Sequence, residues 1–346
     1  LLFDNKGRPE QHYNLFKAQR EIFKMIIITG ANGFIGSAMV WELNQRGIHE
    51  IICVDSVGLP DRSQPLSKRN YLEFILKDQL WRFLQSAEGK KTKWIIHMGA
   101  CSSTTETNWE FLKENNLEYS QKISKWCQEN SCNLIYASSA ATYGDGTLGF
   151  DDATDPHLLR PLNLYGNSKV LFDRWLLVQT NPPQHWYGLK FFNVFGPNEY
   201  LKESMASVAF KAYHQIKKSH RLGLFKSYDS HYRDGEQMRD FIYVKDVTRF
   251  MAELIEKKPK SGIYNMGFGK ARSWLDLARS VFDSLNLPTQ IDWLDMPENI
   301  RNQYQYFTES KMEKWLNAGM SPPQWPLEKA VQDYVQNHLN LEDPWL

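Results

Sequence analysis

The chain has 346 residues, 42% of them hydrophobic and 23% charged, a composition that supports a full globular core in one large domain or two smaller ones. Lys and Arg number 41 against 40 Asp and Glu, a formal net charge of +1, so no overall field points toward nucleic acid or an acidic membrane surface. No apolar run approaches the roughly 20 residues of a membrane span, and no pair among Cys53, Cys101, Cys127 and Cys132 has the C-x-x-C spacing of a zinc or redox site.

Residues 1–24 begin at Leu1 and run through mixed-charge sequence such as Asn5-Lys6-Gly7-Arg8-Pro9-Glu10, without the apolar stretch of a secretory signal. They are expected to be a poorly ordered extension, the natural start falling at Met25. Thiols set in or beside apolar strand-like runs, with no signal peptide, point to a reducing cytoplasm.

The first strong element is Met25-Ile26-Ile27-Ile28-Thr29, an apolar strand that meets Gly30-x-x-Gly33-x-x-Gly36 and continues into a predicted helix, Phe34 to Arg46. A strand, a glycine-rich turn and a helix in that order make a dinucleotide site, whereas the turn alone could be only a tight turn. Gly30 and Gly33 let the backbone approach a pyrophosphate, Gly36 lets helix and strand pack closely, and free amides at the helix start meet the negative charge.

A second predicted strand, Ile51-Ile52-Cys53-Val54-Asp55, ends in a carboxylate about 20 residues past the turn, where a ribose-reading acid belongs. Asp55, followed by Ser56, suits ribose hydroxyls, while Arg62, Lys68 and Arg69 in the next loop suit a 2′-phosphate or are simply a solvated basic loop. NADP and NAD both remain open at this point. Trp94-Ile95-Ile96-His97-Met98 then runs into Gly99-Ala100-Cys101-Ser102, small residues that let a flat cofactor lie near the strand end; His97 is expected to be a hydrogen-bonded core residue. Asn108 to Glu129 has helical spacing interrupted by Asn115-Asn116, poor helix formers of which one is expected to turn toward a ligand.

The strand Asn133 to Ala137 delivers Ser138 and Ser139, and downstream Tyr165 and Lys169 stand at i and i+4 on one predicted helical face. A phenol ionises near 10, so readying it at neutral pH means lowering that value by about three units, or roughly 4 kcal/mol. An adjacent ammonium and an oxidised nicotinamide both supply the charge, and Ser139 or its neighbour Ser138 can hydrogen-bond the same substrate oxygen. Tyr-x-x-x-Lys alone usually marks an exposed helix face; after a dinucleotide turn and a Ser-Ser strand end, it reads as catalytic.

Thr29-Gly30-x-x-Gly33-x-x-Gly36, Ser139 and Tyr165-x-x-x-Lys169, in this order, resemble the extended short-chain dehydrogenase/reductase superfamily, whose members commonly act on nucleotide sugars. More narrowly, Gly99 to Glu106, Tyr136 to Gly144 and Ser204 to Phe210 resemble the ADP-L-glycero-D-manno-heptose 6-epimerase family, with similarity from Met25 to about Tyr334. The resemblance adds Asn32, Phe34, Ile35, Asn115 and Val194 to the cofactor contacts and makes Lys202 a second catalytic group. It implies substrate contacts at Asn193, Ser204 and Tyr304, and at Lys211, where the family often has histidine. Phe225 falls in the family's nucleotide-binding loop, but the segment through Met238 departs from the usual pattern and is longer. Arg239, in Arg239-Asp240-Phe241-Ile242-Tyr243-Val244, matches an arginine that grips the diphosphate, a task suited to a forked guanidinium; a structural pair with a carboxylate is the alternative.

The implied architecture is α/β: a Rossmann-type doubly wound parallel sheet with a smaller C-terminal α/β substrate domain. Residues 25–192, with 241–263 returning, form the dinucleotide-binding part, and 193–240 with 264–340 form the substrate part. The implied activity is isomerase chemistry on an ADP-heptose: epimerisation at C6 of ADP-D-glycero-D-manno-heptose by transient oxidation to a ketone with bound NADP or NAD, for lipopolysaccharide inner-core synthesis. Tyr165 and Lys202 would move the hydroxyl proton, one for each face. A cytoplasmic homo-oligomer is expected, with no metal, nucleic acid or membrane partner. The alternatives are another nucleotide-sugar enzyme such as a 4-epimerase, or a non-catalytic dinucleotide-binding regulator, which would be expected to lose Tyr165 or Lys169. A dehydratase fits less well, because Ala140-Ala141 stands where those enzymes carry Asp-Glu.

Overall fold

In the computed structural model, residues 25–56, 65–301 and 304–346 are described; the expectations for 1–24 and for Arg62 lie outside them. The first half runs β1 (Ile26–Thr29), α1 (Phe34–Gln45), β2 (Ile51–Asp55), β3 (Glu73–Leu76), α2 (Leu80–Gln85) and β4 (Trp94–His97). There follow α3 (Trp109–Leu112), a π-helical stretch Lys113–Glu118, α4 (Tyr119–Glu129), β5 (Asn133–Ser139), α5 (Leu164–Leu177) and β6 (Trp186–Phe191). The second half holds β7 (Asn193–Phe195), a 3-10 segment Tyr200–Met205, α6 (Val208–Ser219), β8 (Leu222–Phe225), β9 (Met238–Tyr243), α7 (Val244–Lys257) and β10 (Gly262–Met266). It ends with β11 (Ala271–Ser273), α8 (Trp274–Ser284), β12 (Ile291–Leu294), α9 (Glu298–Arg301), α10 (Glu313–Asn317) and α11 (Leu327–Tyr334).

Seven strands form one sheet in the order β10-β6-β5-β4-β1-β2-β3, and every pairing in it is parallel. Parallel strands need crossover helices, which cover both faces, so the strands read as unbroken apolar runs rather than alternating ones. β1 shows the consequence: Ile26 and Ile28 join a core with Val40, Leu43, Val247 and Met251, whereas Ile27 joins the opposite core with Ile95, Leu134, Ile123 and Phe172. Burial of each such side chain contributes roughly 1.5–3 kcal/mol. The sheet grows from β1 first toward β3 and then, from β4 onward, the other way. That reversal opens a crevice at the carboxyl ends of β1 and β4, the place where doubly wound sheets hold ligands.

The smaller part has its own sheets, β11-β9-β7 and β12-β8. Its separate core includes Phe195, Ile216, Leu277, Phe282, Val331 and Tyr334. Phe241–Tyr243 pair with Asn193–Phe195 in the small sheet, and the large sheet takes β10 through Met266. The return to the dinucleotide-binding part is thus made by α7, whose Val247 and Met251 pack with Val40 and Leu43 of α1, and by the whole of β10. Among the described residues no helix is long and apolar enough to cross a membrane.

Candidate active site

At the crevice, β1 turns into α1 with almost no space to spare. Gly30 has φ +66°, and a Cβ there would lie 2.7–2.9 Å from backbone atoms of Met98 and Gly99; a Cβ on Gly36 would lie 2.0 Å from the Gly30 carbonyl oxygen. The α1 N-cap is Gly33, which has no side chain to cap the helix, so the helix start keeps amides and the positive end of its dipole for an anion. Asp55 at the end of β2 ties to this turn: its Oδ2 accepts from the Asn32 amide at 3.0 Å and its Oδ1 from the Ser56 amide at 2.7 Å.

A cavity of about 800 Å³ opens here and reaches across the ends of β4 and β5. Gly30, Gly33, Phe34, Ile35 and Gly36 line it, with Asp55 and Ser56 along one wall. Gly99, Ala100, Cys101, Ser102 and Asn115 line it on the β4 side. Ser139, Tyr165, Lys169, Asn193, Val194 and Lys202 complete the set that the structure brings together. A slot whose closest approach requires glycine, next to a helix start and a carboxylate, fits a dinucleotide.

Tyr165 lies in the first turn of α5, whose N-cap Asn163 accepts from the Gly166 amide at 2.7 Å. One turn on, Lys169 donates to the Ala137 carbonyl at 3.0 Å, and its Nζ is 5.8 Å from the centre of the Tyr165 ring. Tyr165, Lys169 and Ser139 are all buried. Burial pushes the Lys169 ammonium down to about 8, with Asp173 pulling back up. The sequence argument required a lowered phenol, but burial pushes Tyr165 up from its ordinary value and outweighs the Ser139 hydroxyl, which pulls it down. Desolvation disfavours the phenolate more than one hydrogen bond favours it.

The two serines have different partners. Ser138 donates to Asp173 at 2.8 Å, whereas the Ser139 oxygen accepts from the Ala141 amide at 3.1 Å. Asp173, fully buried, also accepts from Tyr136 at 2.9 Å and from Lys190 at 3.1 Å. His97 is a satisfied core residue: its ring nitrogens meet Thr29 Oγ1 at 2.6 Å and Ser120 Oγ at 3.0 Å, and burial pushes it down to about 3.

Lys202 enters from the other half of the chain, its Nζ 5.4 Å from the centre of the Phe34 ring. Burial lowers its ordinary value, Glu199 opposes that, and Lys211 adds to it.

Six expected contacts lie off the cavity wall. Asn32 is buried, and its Oδ1 has no hydrogen-bond partner. Lys211 donates to the Ser204 carbonyl at 2.6 Å, which holds both outside. Phe225 ends β8, in the two-stranded sheet. Arg239 is flanked by Trp274 and Tyr304, 5.5 and 5.1 Å from their ring centres, and the Tyr304 hydroxyl accepts from Trp274 Nε1 at 2.9 Å. Trp274 itself lines the cavity, so this stack forms the layer behind it. Among the described residues no carboxylate pairs with Arg239; aromatic faces hold it instead.

Sequence reasoning passed over Lys77, which lines the cavity and donates to Asn115 Oδ1 at 2.6 Å. Its one signal was its place just after a strand. Of the asparagine pair, Asn115 faces the cavity. Asn116 is buried between the Cys101 backbone, at 2.8 and 3.0 Å, and Ser168 Oγ, at 3.0 Å. Both asparagines lie in the π-helical stretch Lys113–Glu118, where consecutive side chains leave the helix in different directions. Lys68 pairs with Asp343.

The profile of the NAD dependent epimerase/dehydratase family matches residues 26–267. The ADP-L-glycero-D-manno-heptose-6-epimerase of Fusobacterium nucleatum is 46% identical over 332 residues, covering 93% of this chain and all of that protein. The crystal structure of the Helicobacter pylori ADP-L-glycero-D-manno-heptose-6-epimerase superposes with a TM-score of 0.73 at 25% identity, over 92% of this chain and 97% of that one. The Thermus thermophilus UDP-glucose 4-epimerase, solved with NAD, shares the fold at 22% identity and a TM-score of 0.73, over 90% and 97% of the two chains. The chain thus belongs to the NAD dependent epimerase/dehydratase family and, within it, to the ADP-L-glycero-D-manno-heptose-6-epimerases.

Proposed function

We propose that the chain interconverts the two C6 epimers of ADP-glycero-D-manno-heptose, supplying the L-glycero form for the lipopolysaccharide inner core. The observation that carries this reading is the gathering of Ser139, Tyr165, Lys169 and Lys202 around one cavity that also contains the glycine turn. In this reading the Gly30–Gly36 turn holds the pyrophosphate of a nicotinamide dinucleotide and Asp55 with Ser56 holds a ribose. Lys77 supplies a cation nearby, and the preference is for NADP. When bound, the dinucleotide supplies reversible oxidation at the substrate carbon.

The chain's own residues do the rest. Ser139 hydrogen-bonds the substrate oxygen, and the Lys169 charge favours the Tyr165 phenolate that takes and returns the hydroxyl proton. Lys202, from a separate element, does the same when the sugar presents its other face. Burial of the Tyr165 region keeps water from a transient ketone. Arg239, in the layer behind Trp274, is the residue proposed to bind the diphosphate.

Purified protein shown to carry a dinucleotide is incubated with ADP-D-glycero-D-manno-heptose and no added cofactor, and the epimers are separated. Both should accumulate toward one ratio from either starting epimer. No interconversion, or turnover of UDP-glucose instead, overturns the assignment.

A further inference from the structure

Lys202 sits on a stretch with no strand or α-helix to hold it, between Gly196 and Ser207. Its neighbour Glu203 has φ +47° and ψ −119°, a conformation that costs about 1–3 kcal/mol outside glycine and persists only where the surroundings impose it. Part of the constraint is internal. The buried Glu199 carboxylate accepts from the Gly196 amide at 3.1 Å and from the Ser207 amide and hydroxyl at 2.5 and 2.8 Å, closing the loop beneath Lys202.

The rest comes from the far end of the sequence. Asn198, buried with φ +78°, donates from Nδ2 to Ser37 of α1 at 3.0 Å and accepts at Oδ1 from the Leu346 amide at 3.0 Å. Tyr200 donates to the Pro344 carbonyl at 2.8 Å, and its ring meets the Trp345 ring edge-on at 4.7 Å between centres. Leu346 is buried with Phe34 and Ala38 of α1. Phe34 carries the ring near which the Lys202 ammonium stands. One short segment therefore grips both the loop that carries Lys202 and the helix start it faces.

We propose that Asp343–Leu346 is a positioning strap that fixes Lys202 against the glycine-turn helix. None of its residues lines the cavity, so they act through the loop and not on substrate. The Asp343 pair with Lys68 is exposed and adds little to the hold. The inference rests on the proposed role of Lys202.

The test uses the holoenzyme with Trp345→Ala and, separately, a chain ending at Asp343. Because a displacement of about 1 Å at a reacting group can cost two orders of magnitude, kcat should fall roughly ten- to a hundredfold with KM little changed. Amides from Gly196 to Ser207 should exchange with solvent about tenfold faster, those of β1 to β6 staying protected. In a Lys202→Met background the strap variants should cost nothing further. An equal fractional loss in that background overturns the proposal, as does unchanged exchange of the loop or loss of protection throughout the large sheet. If the unmodified protein does not epimerise the heptose, the functional assignment falls, and loop exchange alone decides the strap.

Discussion

Gly36→Ala is the sharpest test of how the dinucleotide slot is built. A Cβ there would stand 2.0 Å from the Gly30 oxygen, 2.7 Å from the Gly30 carbonyl carbon and 2.9 Å from Ala31 Cα. All three are backbone atoms, so no side chain can rotate out of the way. Reaching even a tight contact of 3.0 Å requires α1 to move about 1 Å from the end of β1. Overpacking of this kind costs about 1–3 kcal/mol, and replacing a helical glycine with alanine returns about 1 kcal/mol, leaving a net loss of up to about 2 kcal/mol. The shifted amides also leave the pyrophosphate position, for which a ten- to hundredfold weaker dinucleotide affinity is expected. Gly33→Ala is the matched control for stability only, since Gly33 also lines the cavity. Its Cβ would meet the same oxygen at 3.2 Å, and its φ of −84° suits any residue, so a small adjustment accommodates it. Denaturant midpoints and NADPH fluorescence titrations measure both terms. Wild-type affinity in Gly36→Ala, or a larger stability loss in Gly33→Ala, would refute the reasoning.

The other predictions concern charge. Burial holds Lys169 at about 8, below its ordinary 10.5, so its protonated form costs stability in full below pH 8 and the cost is relieved as pH rises toward 10.5. At about 1.4 kcal/mol per unit this is about 3.5 kcal/mol. Lys169→Met should exceed wild type in stability at pH 7 and lack the gain between pH 8 and 10.5; parallel pH profiles of the denaturant midpoint would contradict this. Asp173→Asn strips the buried Lys190 of its partner and should cost about 3–5 kcal/mol, while adding Lys190→Met should recover most of it. A double variant no more stable than the single would show that the pair is not the source of the loss. Arg239→Lys keeps the charge but not the planar stack between Trp274 and Tyr304, so KM for the nucleotide sugar should rise about tenfold with kcat nearly unchanged. An unaltered KM would remove Arg239 from the diphosphate.

What the sequence made legible was what is local. The Gly30–Gly36 spacing is set by one turn, and the Tyr165–Lys169 face by one helix, so both could be read without knowing the neighbours. Lys190 carried no signal, because its partner Asp173 and the hydroxyls of Tyr136 and Ser138 come from two other elements. Lys77 meets Asn115 across 38 residues, and Leu346 meets Asn198 across 148. Neither pairing leaves a periodic trace. Ser204 and Lys211 were expected at the substrate, yet they satisfy each other along one surface, a contact that a lysine seven residues away makes in the first turn of α6. Asn115 and Asn116 were legible as an interruption. That one of them would turn toward the site was legible too, but not which one, because the π-helical stretch that sets their phase on the helix has no residue signature of its own.

Burial and charge oppose each other most directly at the Tyr165 phenol. Burial raises it, and the groups that favour its ionisation are few: the Ser139 hydroxyl, the amino-terminal end of α5 one residue before it, and the Lys169 ammonium. That ammonium is itself pushed down by the same burial, so desolvation drives both partners toward neutrality at once. Asp173 opposes this only in part, because it is shared. It lies 3.1 Å from Lys190, and its pull on Lys169 acts from one helical turn further along α5. Asp173 pairs with Lys190, on which Asp152 also pulls, whereas Lys169 has no carboxylate in contact among the described residues, so the unpaired cation lies on the Tyr165 side. The pocket is therefore built to hold a surplus cation beside the phenol without pairing it, which costs stability and favours the phenolate. A carboxylate placed against Lys169 would stabilise the fold and weaken the base.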